Sequence, residues 1–264
     1  PQAHKPTTRS ERAMPYASVN DIRMYYEEAG EGTPLILMHG ASSSIDDPVF
    51  SWLDLVPEFS TRYRAIQVEH RGHGRTDNPA GRLDYEMIAG DICAFIEQLG
   101  AGPAHIAGVS DGGITALVVG MTRPDLARSL IAVGPNYYND DLVREANEFA
   151  DITGFSPEAE AAMAARHDRG GKPAGWWREL FAQLAANLAV NPDYSLEDLA
   201  RIPNPVFLIA GEDDLWGNVP QMAAMKGAIP HAELLIVNHA PHEAQHTHPW
   251  IVGPQVLDFL ARHP

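Results

Sequence analysis

The chain has 264 residues, of which 35 are Asp or Glu and 19 are Lys or Arg, so its formal net charge at pH 7 is −16. This length is sufficient for one large domain with a substantial core, and the negative charge argues against nucleic acids and anionic membranes as partners. The only cysteine, Cys93, excludes an intrachain disulfide, and no apolar run approaches the ~20 residues of a membrane-spanning helix. Residues 1–13 form a polar tail without the apolar segment of a signal peptide, and we expect a cytoplasmic protein.

Short apolar runs alternate with amphipathic segments along most of the chain. Residues 16–19 and 22–28, which flank Asn20-Asp21, predict an antiparallel hairpin. The alternation of strands and helices, with short glycine turns between them, predicts a mainly parallel eight-stranded α/β sheet with helices on both faces. The further predicted strands are 34–38, 64–69, 104–108, 129–134, 205–210 and 232–237, and the helices lie near 51–60, 85–99, 112–122, 219–228 and 249–261.

Residues 135–200 interrupt this alternation. They contain no convincing strand, and Gly170-Gly171 marks a turn between two helical segments. We therefore expect a helical insertion at 135–200 between two parts of one core, residues 1–134 and 201–264. Helices are predicted in the insertion at 141–150, 157–167, 176–189 and 196–199.

A serine stands at a sharp turn between a predicted strand and a predicted helix. Residues 108–113 read G-V-S-D-G-G, which contains the G-x-S-x-G pattern around Ser110. The small glycines let the backbone turn tightly, so the hydroxyl projects clear of the sheet. The free N–H groups of the following helix favour negative charge on a substrate oxygen. This arrangement is typical of acyl-transfer enzymes.

Acidic residues and histidines follow two later strands at the same edge of the sheet. The run 212–214 (E-D-D) follows the strand at 205–210, and the run 238–242 (N-H-A-P-H) follows the strand at 232–237. The carboxyl ends of parallel strands lie along one edge, so these side chains and Ser110 can meet there. The order serine, acid, histidine is the one that this architecture uses.

Several motifs together resemble the α/β-hydrolase superfamily, in its serine esterase and lactonase branch with a helical cap. Residues 34–40 resemble the strand and His-Gly turn that build half of the oxyanion hole. Residues 69–76 resemble D-x-R-G-x-G-x-S, with Glu69 in place of aspartate. Residues 211–214 resemble the G-x-x-D acid loop, and residues 238–242 resemble G-H-x-P-H, with Asn238 in place of glycine.

The resemblance implies a catalytic triad and an oxyanion hole. Ser110 is expected to be the nucleophile, Asp214 the acid and His239 the base, because a serine hydroxyl needs a base at neutral pH. The backbone N–H groups of Ala41 and Asp111 are expected to bind the oxyanion. Neither a metal nor an organic cofactor is required.

Alternatives to these assignments follow from neighbouring residues. Asp213 or Glu212 could replace Asp214, and His242, which lies further past the strand, could compete with His239. Asp111 is disfavoured as the nucleophile because Gly108 and Gly112 flank position 110, and Asp111 lies one residue after it. A metal site built from the histidines of the loop lacks regular ligand spacing; these are His239, His242, His246 and His248.

The insertion corresponds to the position of the cap in the superfamily, and its aromatic residues can line an apolar pocket. Packing of the cap onto the core is the competing role for each of them. As substrate-binding residues we predict Tyr138, Trp176, Trp177 and Phe181, and Phe149 is a further aromatic residue of this segment.

The expected function is hydrolysis of a small, moderately apolar carboxylic ester or lactone. The same triad also supports amide or peptide cleavage, carbon–carbon bond hydrolysis and perhydrolysis, or a ligand receptor on a hydrolase fold. The expected partner is the small-molecule substrate, and a homodimer is compatible with the sequence.

Overall fold

The structure, a computed structural model, describes residues 16–264, so the polar tail predicted at 1–13 lies outside the described residues. Its strands are β1 Tyr16–Val19, β2 Ile22–Ala29, β3 Pro34–Met38, β4 Arg64–Val68, β5 Ala104–Val109, β6 Ala127–Val133, β7 Val206–Gly211 and β8 Ala232–Val237.

The eight strands form one sheet in the order β1-β2-β4-β3-β5-β6-β7-β8. β1 and β2 pair antiparallel, β2 is antiparallel to β4, and all remaining pairs are parallel. This confirms the predicted fold class.

Helices cover both faces of the sheet. Every residue of β5 and β7 is buried, as expected for parallel strands between two helical layers. One face packs against α2 (Tyr85–Gln98), α3 (Asp111–Thr122) and α8 (Val219–Ala228). The other packs against α1 (Val56–Phe59) and α10 (Pro249–Arg262). A short helix, α9 (Ala244–Thr247), precedes α10.

The segment between β6 and β7 is helical and is called the helical insertion below (residues 135–200). Its α-helices are α4 Asp141–Ala146, α5 Pro157–His167, α6 Trp176–Leu188 and α7 Leu196–Leu199. Shorter 3₁₀ helices occur at Asn147–Ala150 and Ile152–Gly154 here, and at Pro124–Leu126 in the core. An isolated antiparallel bridge joins Tyr138 and Asp193. The boundaries between core and cap stay predictions.

Two further properties concern the chain as a whole. Within residues 16–264, no helix combines the length and the apolar character needed to cross a membrane. Cys93 is buried in α2, and burial raises the pKa of its thiol to about 11. The thiol is therefore protonated at neutral pH.

Candidate active site

Ser110 occupies the turn between β5 and α3. Its backbone has φ +54° and ψ −118°, a conformation that residues with a side chain adopt rarely, and its N–H donates to the Val133 carbonyl. The flanking glycines are required by close contacts. A Cβ on Gly108 would lie 2.0 Å from the carbonyl oxygen of Gly112, and a Cβ on Gly112 would lie 2.7 Å from the carbonyl oxygen of His39.

Asp214 and His242 form a buried pair beside this turn. The Nδ1 of His242 lies 2.8 Å from both carboxylate oxygens of Asp214. Asp214 also accepts the backbone N–H groups of Trp216 and Gly217, at 2.8 and 3.0 Å. Since an ionised carboxylate only accepts, Nδ1 carries a proton and the Nε2 of neutral His242 keeps its lone pair.

Burial and the carboxylate act on His242 in opposite directions. Burial favours the neutral imidazole and by itself lowers the pKa of His242. The charge of Asp214 and the hydrogen bond to it favour the imidazolium, and the resulting pKa is above the usual value of histidine.

His239, the predicted base, is in the wrong place for that role. Its side chain is 91% exposed, and its Nδ1 lies 3.7 Å from the carboxylate of Glu212. His239 has φ +58°, so the chain turns there, directly after β8. The turn directs His239 outward, buries Ala240 completely and returns His242 to the interior. The small apolar residue between the two histidines was the available sequence signal, and distance from the strand end was a poor guide.

The predicted oxyanion donors lie around the same cavity as Ser110. Ala41 and Asp111 both line it, and the N–H of Asp111 belongs to the first turn of α3, where backbone N–H groups have no partner within the helix. The Nδ1–H of His39 donates to the Gly40 carbonyl at 2.7 Å. Because a trans peptide places C=O and N–H on opposite sides, this bond fixes the direction of the Ala41 N–H.

Asp111 lines the cavity and has a buried carboxyl group. Its Oδ1 accepts a hydrogen bond from the Tyr85 hydroxyl at 3.0 Å. Burial raises the pKa of Asp111 to about 6, against the opposing effects of Tyr85 and His242. At neutral pH the carboxyl is therefore mostly ionised.

The cavity at Ser110 has a volume of about 170 Å³. A larger and more open cleft of about 600 Å³ lies on the helical insertion, and Asn147 and Leu188 line both spaces. Aromatic and amide side chains line the cavity. Among the residues that the structure describes, no Lys or Arg lines it. Its walls are Ala41, Ser42, Phe50, Ser110, Asp111, Asn136, Asn139, Asn147, Phe149, Leu188, Trp216 and His242.

The four residues predicted to bind substrate do not line this cavity. Trp177 is buried and packs against Phe155 and Phe181, with ring centroids 6.0 and 5.8 Å away. Trp176 donates its indole N–H to the Gly72 carbonyl, and Tyr138 is 37% exposed. Phe181 borders the outer cleft instead. The aromatic composition of the insertion does not show which of its aromatic residues face the cavity and which pack among themselves, so substrate contact at these four residues stays a prediction.

Aromatic walls come instead from three other elements. Phe149 belongs to the 3₁₀ turn after α4, Phe50 to the loop after β3, and Trp216 to the acid loop after β7. Trp216 packs on His242, with ring centroids 4.7 Å apart. Phe149 is one of the aromatic residues predicted in the insertion, whereas Phe50 and Trp216 lie in core loops and carry no comparable signal in the sequence.

The remaining loop histidines have separate partners. The Nδ1 of His246 lies 2.8 Å from a carboxylate oxygen of Asp54, and the Nδ1 of His248 lies 3.0 Å from the hydroxyl of Thr247. Within residues 16–264, no three His, Cys, Asp or Glu side chains form a group that could hold a metal ion.

Comparisons with known proteins agree with this architecture. The 2-(acetamidomethylene)succinate hydrolase of Mesorhizobium japonicum is 26% identical over 265 residues, which cover 92% of this chain and 93% of the relative. The crystal structure of E-2-(acetamidomethylene)succinate hydrolase has a TM-score of 0.79 at 23% identity, covering 94% of this chain and 98% of its own. The enol-lactonase of Burkholderia xenovorans LB400 has a TM-score of 0.73 at 21% identity, with coverages of 94% and 100%.

These structural likenesses support the fold, and a sequence model of the alpha/beta hydrolase family extends over residues 35–250. The resemblance seen in the sequence motifs is thereby confirmed. The match spans the strand before Ala41, the turn at Ser110, the helical insertion and the loop that carries His242. The chain belongs to the alpha/beta hydrolase family.

Proposed function

We propose that the chain is a serine hydrolase that cleaves a small carboxylic ester or lactone with Ser110, His242 and Asp214. One observation carries this proposal. Ser110 and the Asp214-bonded His242 line one cavity, together with the two residues whose backbone N–H groups would bind an oxyanion.

The residues divide the reaction into two half-reactions. His242 Nε2 takes the hydroxyl proton as Ser110 Oγ attacks the acyl carbon, and Asp214 stabilises the imidazolium. The N–H groups of Ala41 and Asp111 bind the oxyanion. The intermediate expels the alcohol, which receives the proton from His242, and leaves an acyl-enzyme. Water then loses a proton to His242 and attacks the acyl carbon, which releases the acid and regenerates Ser110.

The cavity supports a small acyl group without negative charge. A volume of about 170 Å³ limits the size of the acyl group. Among the described residues no cation lines the cavity, and the Asp111 carboxylate would repel an acyl group that carries a carboxylate. One relative is named as a hydrolase of a succinate, which is a dicarboxylate. A structural neighbour is named as an enol-lactonase. The charge at Asp111 favours the neutral ester or lactone over a dicarboxylate.

The test uses Ser110→Ala and two histidine variants. Ser110→Ala and His242→Ala should lower kcat/KM for a nitrophenyl butanoate by about 10⁴-fold or more, because nucleophile and base act as one unit. His239→Ala is the matched control, since this side chain is exposed, and it should retain most activity. A fluorophosphonate should label the parent protein but not Ser110→Ala.

Activity of Ser110→Ala within tenfold of the parent, or persistent labelling, would contradict the nucleophile. Loss of activity in His239→Ala but not in His242→Ala would contradict the base. The substrate panel should also contain a lactone, an amide, a β-diketone and the nitrophenyl monoester of succinate. Turnover confined to the amide or the β-diketone would leave the triad in place and overturn the ester assignment.

A further inference from the structure

The end of α5 binds the loop that carries the predicted oxyanion donor Ala41. The carbonyl oxygen of Ser42 accepts hydrogen bonds from His167 Nε2 at 3.0 Å and from Arg166 Nη1 at 3.1 Å. Arg166 also lies 3.2 Å from the carboxylate of Asp47 in the same loop. Helix α5 belongs to the helical insertion, whereas the loop follows β3 of the core. The contact therefore joins the two parts directly at the candidate site.

His167 is held in one tautomer by a second contact to the core. The backbone N–H of Gly74 donates to Nδ1 of His167 at 3.1 Å. Nδ1 is therefore the acceptor, and Nε2 carries the proton that is donated to Ser42. His167 is fully buried, and burial lowers its pKa to about 3. His167 is therefore neutral at neutral pH, with Nε2 as the donor.

Ser42 has a backbone conformation that needs such support. Its φ of +51° lies in the left-handed region, which is unfavourable for a residue with a Cβ and persists where surrounding contacts impose it. A second hydrogen bond lies on the other side of Ala41, where His39 donates to the Gly40 carbonyl. His39 is fixed in turn, because its Nε2 accepts the N–H of His70 at 3.1 Å.

Ala41 therefore lies between two carbonyl groups that are each bound by a buried neutral histidine. His39 sets the plane of the peptide that contains the Ala41 N–H, and His167 holds the next turn of the same loop. The ring of His73 lies between these two histidines, tilted against His39 at a centroid distance of 5.0 Å and edge-on to His167 at 5.8 Å. A displacement of Ser42 would turn the Ala41–Ser42 peptide, which is joined through the Ala41 Cα to the peptide that carries the Ala41 N–H, and would thereby misdirect that N–H.

We propose that His167 is a positioning residue for the oxyanion hole, through which the helical insertion controls the direction of the Ala41 N–H. This inference rests on the proposed function. His167 acts through Ser42 and does not touch the reacting atoms. The Ala41 N–H is thus correctly directed only while His167 of α5 is hydrogen-bonded to the Ser42 carbonyl.

Two substitutions at the same position separate the two hydrogen bonds of His167. In His167→Gln, the side-chain amide nitrogen reaches the position of Nε2 and can donate to Ser42. In His167→Asn, the shorter amide can accept the Gly74 N–H at the position of Nδ1 but cannot reach Ser42. Both variants remove the ring, and Asn is one methylene shorter than Gln, so rates are compared per active site to separate a loss of folded protein from a misplaced donor.

We expect His167→Asn to lower kcat by about 10- to 100-fold with little change in KM, because a misplaced donor weakens binding of the transition state. His167→Gln should stay within about threefold of the parent. The inhibition constant of an alkyl trifluoromethyl ketone, which adds to Ser110 and generates an oxyanion, should rise in His167→Asn by the same factor. Affinity for the carboxylic acid product should not change.

Hydrogen exchange supplies a readout that does not depend on turnover. Amides in residues 40–45 should exchange faster in His167→Asn than in the parent or in His167→Gln. Equal kinetic losses in the two variants, or exchange rates that do not differ between them, would overturn the inference. A parent protein that neither hydrolyses esters nor reacts at Ser110 would overturn the proposed function, and the exchange comparison would still decide whether His167 holds the loop.

Discussion

Among single residues, the pair Asp214–His242 determines how the proposed chemistry responds to pH. The 2.8 Å contact between carboxylate and Nδ1 stabilises the protonated imidazole, and it outweighs the opposite effect of burial. Only neutral His242 can accept the proton of Ser110, so activity is lost as the pH falls through the pKa of His242. That pKa lies above the ordinary value of about 6.5.

The acid limb of kcat/KM should therefore have its midpoint above pH 6.5. Asp214→Asn removes the charge that raises the pKa of His242, so the limb should move to lower pH while the maximal rate falls by about 10³- to 10⁴-fold. The measurement is kcat/KM of a neutral ester between pH 4.5 and 9. His246→Gln, a change at the loop histidine that contacts Asp54, should leave the midpoint unchanged. An unchanged limb in Asp214→Asn would show that another group controls it.

From the sequence, the position of a side chain can be predicted where the backbone dictates it. The G-x-S-x-G spacing places Ser110 and Asp111 at the turn between β5 and α3, because only glycines fit the close backbone contacts there. The carboxylate of Asp214 bonds His242 and not the predicted His239, because the direction of the turn at His239 decides which histidine faces the interior. A backbone dihedral of this kind, at a residue other than glycine, has no distinct signature in the sequence.

At the scale of elements, the approach of α3 to β3 determines where Ser110 stands. A Cβ at Gly112 would lie 2.7 Å from the His39 carbonyl oxygen and 2.9 Å from the Cβ of Met38. The helix can therefore pack at this distance only with glycine at this position. Gly90 offers a contrast, because it lies in α2, is exposed and has no atom within 4 Å of the position of a Cβ.

Gly112→Ala should move α3 away from β3, lower the free energy of unfolding by about 1–3 kcal/mol and reduce kcat/KM more than tenfold. Gly90→Ala, the matched control in a helix, should raise the free energy of unfolding by about 0.5–1 kcal/mol without affecting the rate. Denaturant unfolding and ester kinetics measure the two effects. Normal activity in Gly112→Ala would mean that the turn tolerates a displacement of the helix.

Strands were predicted more accurately than the first helix. The apolar runs of β5 and β7 are only six residues long and buried throughout. In a chain that alternates strands and helices, a run this short and this apolar is typical of a central parallel strand. The helix predicted at 51–60 extends only over Val56–Phe59. Trp52 lies before it and donates its indole N–H to the Met38 carbonyl. This tertiary contact is not visible in the helical spacing of the segment.

On the scale of the whole molecule, the helical insertion has an interior of its own and contributes little of that interior to the cavity. Trp177 lies in this interior at 1% exposure, between Phe155 and Phe181. Phe149, by contrast, lines the cavity at Ser110. Stability and substrate choice should therefore depend on different aromatic residues of the same insertion.

Trp177→Ala should lower the free energy of unfolding by about 3–5 kcal/mol, with the same ratio of rates for small and bulky acyl esters. Phe149→Ala should change that ratio by roughly tenfold, since an apolar wall contact is lost in the transition state. Rates per active site, from titration with a fluorophosphonate, separate the two effects from the loss of folded protein. A changed ratio in Trp177→Ala alone would assign selectivity to the interior of the insertion.

Asn147 and Leu188 border both the inner cavity of about 170 Å³ and the outer cleft of about 600 Å³. An acyl chain too long for the inner cavity would meet the side chains of Asn147 and Leu188. A single substitution changes a side chain without changing the path of the backbone. If the proposed function holds, we expect a shortening of Leu188 to extend the space open to an acyl chain toward the outer cleft without changing Ser110, Asp214 or His242.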